Sequence, residues 1–180
     1  MEKYTYSGMK MCELGNQKLR KNKFKTGKEY FESKNIIHTS IDINGLDGAL
    51  PIDLSEPIPY PKLLHKFDIV TNLGTSEHVE DQYWCFWNIH NLCNIGGIML
   101  HIVPRPKYWR NHGYYKYEFE FFEELSKHNG YKLIEVNRSL YSMNRKKRKK
   151  YLCSVVMKKY EDKLFMGREE FYKLGGLYNE

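Results

Sequence analysis

The sequence lacks the features that mark several common classes of protein. No run approaches about eighteen apolar residues, which excludes a membrane-spanning helix. Its first residues, Met1-Glu2-Lys3-Tyr4, offer no apolar stretch of the kind a secretory signal needs, so the expected compartment is cytoplasmic. The four cysteines, Cys12, Cys85, Cys93 and Cys153, show no C-x-x-C spacing. That argues against a disulfide framework or a zinc site and predicts buried thiols in a reducing compartment. Histidines and acids show no metal-ligand spacing either. No linker or internal repeat divides the chain, so one domain is expected over residues 1–180, its core at about 10–159 and a tail of unassigned structure at 160–180. What is present is a 41% hydrophobic, 15% aromatic composition, enough to exclude wholesale disorder.

Net charge is +7, but it is not spread evenly. Between Asn137 and Lys159 lie nine basic residues and no acid, so subtracting nine from seven leaves −2 for the remainder. The basic run Arg145–Lys150 is a candidate phosphate-binding turn, and equally a solvated one. Lysines outnumber arginines, and Asn, Ile and Tyr are frequent, a bias that AT-rich codons alone would produce.

Strand and helix patterns alternate. Strands are expected at Lys10–Leu14, Ile36–Ile41, Phe67–Asn72, Ile98–Val103, Tyr131–Val136 and Tyr151–Met157, from their apolar and β-branched runs. Helices are expected near Lys28–Glu32, over about His78–Asn94 ending at Gly96-Gly97, and around Tyr117–His128 ending at Gly130. Such alternation predicts an α/β fold: a mostly parallel, Rossmann-like sheet flanked by helices, ending in an antiparallel β-hairpin because no helix separates the last two strands.

Ligands of open α/β sheets bind outside the carboxyl ends of the strands. Three such ends carry suitable chemistry. Glu13-Leu14-Gly15-Asn16-Gln17 places a glycine where backbone can approach a ligand closely. Asp42 ends the second strand and can accept hydrogen bonds from ribose hydroxyls. Asp53-Leu54 can hold an exocyclic amine and cover a ring face. The G-x-G-x-x-G pattern of pyrophosphate binding is missing, which favours a cofactor without a pyrophosphate.

With those motifs, the chain resembles the class I S-adenosylmethionine-dependent methyltransferases over roughly Lys10 to Lys158. Glu13-Leu14-Gly15-Asn16 stands where that family has its E/D-x-G-x-G loop, although Gln17 takes the place of the second glycine. Ser40-Ile41-Asp42-Ile43-Asn44 is similar to its acidic strand end, and Phe67-Asp68-Ile69-Val70 followed by Ser76-Glu77-His78-Val79 to its F-D-x-V…E-H-V segment. Leu92 to Leu100 matches the stretch around its Gly-Gly, and the final hairpin its inserted antiparallel strand. The resemblance implies S-adenosyl-L-methionine as cofactor, with Glu13, Gly15, Asn16, Asp42, Ile43, Asp53, Leu54, Asn72 and Gly74 around it.

His112-Gly113-Tyr114-Tyr115, Phe121–Leu125 and Asn129-Gly130-Tyr131 resemble uncharacterised methyltransferases of polysaccharide pathways. That implies O-methylation of a sugar, glycan or other small hydroxylated acceptor, with His112 as first candidate base and His78 as second. Two alternatives stay open. One is a nucleic-acid methyltransferase using Arg145–Lys150; the strand-four end, Asn72-Leu73-Gly74-Thr75, is not the N-P-P-Y of an amino-methylating DNA enzyme. The other is a non-catalytic scaffold that keeps the fold, which Gln17 and the short lead before the first strand would suit. Trp84 and Trp87 fit a core or subunit interface better than a substrate platform, leaving room for a homo-oligomer.

Overall fold

A computed structural model describes residues 7–19, 23–143 and 149–179. Six strands form one sheet: β1 (Lys10–Leu14), β2 (Ile37–Ile41), β3 (Phe67–Leu73), β4 (Cys93–Pro104), β6 (Tyr131–Met143) and β7 (Lys149–Lys159), in the order β2-β1-β3-β4-β7-β6. Pairings from β2 through β4 are parallel, and β7 runs antiparallel to both its neighbours. The expected hairpin is therefore present, with its return strand inserted between β4 and β6. A second, two-stranded antiparallel sheet joins β5 (Tyr115–Tyr117) to β8 (Leu177–Asn179).

Successive strand residues point to opposite faces. In β1 all four residues from Met11 to Leu14 are buried, so both faces are covered there. By register, Cys12, Val70, Met99 and Met157 share one face. They belong to the core with Phe86 and Ile89 of α2 (Gln82–Leu92) and Phe121, Phe122 and Leu125 of α3 (Phe119–Asn129). On the other face, Met11, Ile69 and Leu100 border a cavity with Tyr30 and Phe31 of α1 (Gly27–Glu32). All four cysteines are buried and unpaired by disulfides.

β4, β6 and β7 run longer than their apolar patterns predict, and three expected helix boundaries move, each for a local reason. Helix α2 begins at Gln82 rather than His78, because Asp81 caps it by accepting the Trp84 N–H (3.0 Å), while Ser76–His78 form a separate 3₁₀ turn. It ends at Leu92, so Gly96-Gly97 lie within β4 rather than terminating the helix. Lys159 stands at that end and donates its ammonium to the carbonyls of His90 (2.9 Å) and Cys93 (3.3 Å). Helix α3 begins after Tyr117, which is claimed by β5, and ends at Gly130 in the left-handed region (φ 66°) as expected. The tail at 160–179 is structured. It carries α4 (Arg168–Phe171) and β8, and it buries Met166, Phe171 and Leu174 in the core.

Candidate active site

The carboxyl ends of β1, β2 and β3 meet in a cavity of about 300 Å³, within the range of small-molecule sites. Gly15, Asn16, Asp42, Ile43, Asp53, Leu54, Gly74 and His78 all line it, together with Gln17, Ile52 and Val79. Gly15 has φ 81°, and a Cβ there would lie 2.6 Å from Thr75 Oγ1. The missing side chain lets Thr75 reach across and donate to the Leu14 carbonyl (2.7 Å), clamping the end of β3 onto that of β1.

Asp42 is held in place by its neighbours. One carboxylate oxygen accepts the Asn16 N–H (2.8 Å) and the other the Asn44 N–H (3.0 Å), leaving lone pairs for a ligand's hydroxyls. Asp53 accepts the Ser55 N–H (2.8 Å) beside Leu54. Gln17 donates to the Leu73 carbonyl (3.0 Å), so the residue in the second glycine's place ties the loop to β3.

Two expected cofactor residues stand outside the cavity wall. Glu13 is buried behind the loop, with an oxygen 3.3 Å from His38 Nε2, and it leaves so little room that a Cβ on Gly27 would lie 2.4 Å from it. Asn72 is buried under the 3₁₀ turn, where it donates to Ser76 Oγ (2.8 Å) and accepts the Ser76 N–H (3.0 Å). It supports the turn from below. Tyr117 strengthens that support by donating to Ser76 Oγ (2.9 Å) or Gln82 Oε1 (2.5 Å).

A second cavity of about 410 Å³ shares Gln17, Gly74 and His78 with the first. Glu77, Trp109, His112 and Tyr141 are among its other walls. Here the two candidate bases come together, although they are far apart in sequence. The rings of His78 and His112 meet edge-on at 4.9 Å between centroids. Both turn toward Glu77 Oε1, at 3.9 Å and 3.5 Å respectively.

Glu77, which the sequence pattern alone does not single out, is the carboxylate that both imidazoles approach. Its side chain is 2% exposed, and burial pushes its carboxyl up to about 7 against the pull of the Lys116 charge. Burial also lowers the proton affinity of His78 and His112, with Lys116 adding to it in both. Gly113 makes the approach possible. Its φ is 68°, a Cβ would lie 2.5 Å from the Glu77 carbonyl, and the next residue, Tyr114, donates its N–H to that carbonyl (2.7 Å). Trp109 walls the far side, fixed by donation to the Tyr151 carbonyl (2.7 Å). Of the basic run, residues 144–148 lie outside the described residues; Lys150 places its ammonium 4.3 Å over the Trp109 ring.

Several solved structures share this fold. A putative S-adenosylmethionine-dependent methyltransferase from Listeria monocytogenes superposes with a TM-score of 0.65 at 10% identity, over 87% of this chain and 92% of its own. This is the fold of S-adenosylmethionine-dependent methyltransferases. The 1,6-didemethyltoxoflavin N1-methyltransferase of Burkholderia thailandensis, crystallised with 1,6-didemethyltoxoflavin and S-adenosylhomocysteine, gives 0.64 at 14% identity, over 86% of this chain and 72% of its own. The 16S rRNA (adenine(1408)-N(1))-methyltransferase of Catenulisporales acidiphilia, a W203A mutant, gives 0.56 at 7%, over 87% and 88%. No protein-family model matches the chain, and no curated protein matches it in sequence. The fold is shared with methyltransferases of both small molecules and ribosomal RNA. Among the described residues, no helix is long and apolar enough to cross a membrane.

Proposed function

We propose that the chain is an S-adenosylmethionine-dependent methyltransferase acting on a hydroxyl of a sugar, glycan or other small hydroxylated acceptor. One observation carries the reading: the strand-end cavity shares Gln17, Gly74 and His78 with a second one lined by two imidazoles and a buried carboxylate. The first cavity fits the cofactor. Asp42 suits a ribose, Asp53 and Leu54 an adenine, and Gly15 leaves space against the loop backbone. When bound, S-adenosylmethionine supplies a methyl group on a sulfonium, so the protein's task is alignment and removal of the acceptor's proton. Glu13 acts indirectly, by bracing the loop from behind through Gly27 and His38.

In the second cavity Trp109 and Tyr141 supply aromatic wall for the apolar side of a sugar. His112 and His78, backed by Glu77, are the groups through which a hydroxyl there loses its proton. Calorimetric titration with S-adenosylhomocysteine tests the cofactor half. The wild type should bind, and Asp42→Ala should weaken binding about tenfold or more, the loss of a charge-assisted pair of hydrogen bonds. If the wild type does not bind, the scaffold reading takes over.

One observation favours a nucleic acid as acceptor. Lys150, the last residue of the basic run, stands over Trp109, a wall residue of the second cavity. That reading requires oligonucleotide binding that falls steeply with salt. Binding that is insensitive to replacing Arg145, Lys146, Lys147 and Arg148 with Ser would remove it.

A further inference from the structure

The Glu77, His78 and His112 cluster has a composition that a proton relay alone does not require. One ligand-type atom from each residue lies within 4.8 Å of the other two. Two imidazoles and one carboxylate on one side of an open cavity match the donor set of borderline divalent cations, with the remaining positions facing the cavity. A second observation points the same way. Glu77 Oε2 is buried and accepts no hydrogen bond from the described residues, a costly state for a carboxylate. Lys116 places positive charge nearby, and the oxygen still has no donor.

We infer that Glu77, His78 and His112 form a binding site for a divalent transition-metal cation such as Mn²⁺ or Zn²⁺, built into the wall of the acceptor cavity. Tetrahedral bonds of about 2.0–2.2 Å would set neighbouring donors roughly 3.3–3.6 Å apart. The observed separations of 3.5 Å and 3.9 Å from Glu77 Oε1 need only small imidazole movements. The mobile partners are the right ones. The two histidine side chains are 41% and 50% exposed, while Glu77 is locked in place at 2%. Gly113 and the Tyr114 N–H to Glu77 carbonyl bond hold His112 within reach.

This inference rests on the second cavity being the acceptor site, and it assigns the imidazoles the work of ligands. A hydroxyl coordinated to the cation gives up its proton to water while the oxygen keeps the electron pair, as metal-bound water does near neutral pH. Mg²⁺ and Ca²⁺, which prefer all-oxygen donors, fit the set less well.

The test uses the full chain stripped with a chelator, titrated with Mn²⁺ alone and followed by electron paramagnetic resonance of the free ion. One saturable equivalent per chain is expected. His112→Ala and His78→Ala should each weaken it by at least the ~10- to 100-fold that loss of even an outer-shell partner costs. Zn²⁺ should displace the Mn²⁺, and His128→Ala, on exposed α3 surface, should change nothing. Absence of saturable binding, or binding indifferent to both histidine substitutions, overturns the metal site. S-adenosylhomocysteine titration of the same stripped samples separates the two failures: retained cofactor binding without Mn²⁺ binding sinks the metal site alone, and loss of cofactor binding by the wild type sinks the methyltransferase reading. Because the His78 and His112 side chains are about half exposed, their variants should keep the far-ultraviolet circular dichroism of the wild type.

Discussion

A single missing side chain decides whether His112 reaches Glu77. The loop between β4 and β5 has three left-handed residues, Lys107 (φ 70°), Asn111 (φ 55°) and Gly113 (φ 68°), and only the last is a glycine. Left-handed backbone costs an L-residue about 1–2 kcal/mol. At Gly113 a Cβ would also press on the Glu77 backbone, which cannot swing aside as a side-chain tip can. Gly113→Ala should therefore lower Tm by several degrees, at roughly 2–4 °C per kcal/mol for a chain of this size. It should also reduce turnover on a hydroxylated acceptor beyond what the lost stability explains, because His112 moves with the loop. Full turnover in a folded Gly113→Ala protein would show that the His112 to Glu77 approach is dispensable. These contacts also mark the limit of sequence reading. That Gly15, Asp42 and Asp53 border one cavity was legible, because strand ends follow from apolar patterning. Glu77 was not: its partner lies 35 positions away along the chain, and only the loop's left-handed turns bring the two together.

At the level of elements, the strands were legible and the ends of helices less so. β3 and β4 announce themselves by continuous apolar and β-branched residues, whereas α2 loses its first turn to a cap at Asp81 that competes with the pattern starting at His78. β5 could not be read, since three residues without their partner β8 carry no signal of their own. Two buried histidines tie this layer to pH. His101 of β4 is fully buried against Phe86 and Phe122, and His90 of α2 is buried beside Lys159; burial pushes each down to about 3. In the unfolded chain the same imidazoles take a proton near 6.5. The unfolded state thus binds more protons below that value, and stability should fall as pH drops from about 6.5 toward 3. Thermal melts across pH 7 to 4 should show that decline. His101→Gln should flatten it in part, and an unchanged slope would mean that carboxylates alone drive the acid transition.

The molecule as a whole places its charge in a way that its net +7 conceals. Lys159, one of the nine basic residues, is fully buried as a helix-end donor, and Lys150 stacks on Trp109, so part of the basic segment is structural. The tail has the opposite history: unassigned from sequence, it closes the core. Phe171 is fully buried, with ring centroids 5.9 Å from Phe86 and 5.7 Å from Phe121, and Met166 donates its N–H to Asn129 at the end of α3 (2.8 Å). An ion pair between Arg168 and Asp81 fastens α4 to the cap of α2. That pair is partly exposed and contributes little, so the aromatic contacts should dominate. Phe171→Ala should cost about 3–5 kcal/mol, the range for emptying a packed aromatic site, whereas Arg168→Ala should cost under about 1 kcal/mol. Urea denaturation of the two variants separates these expectations. If Arg168→Ala proved the more damaging, the tail would be held by charge instead of burial. A chain cut after Lys159 should lose more than Phe171→Ala does, because β5 would lose its only strand partner among the described residues and Phe86 and Phe121 would face water together.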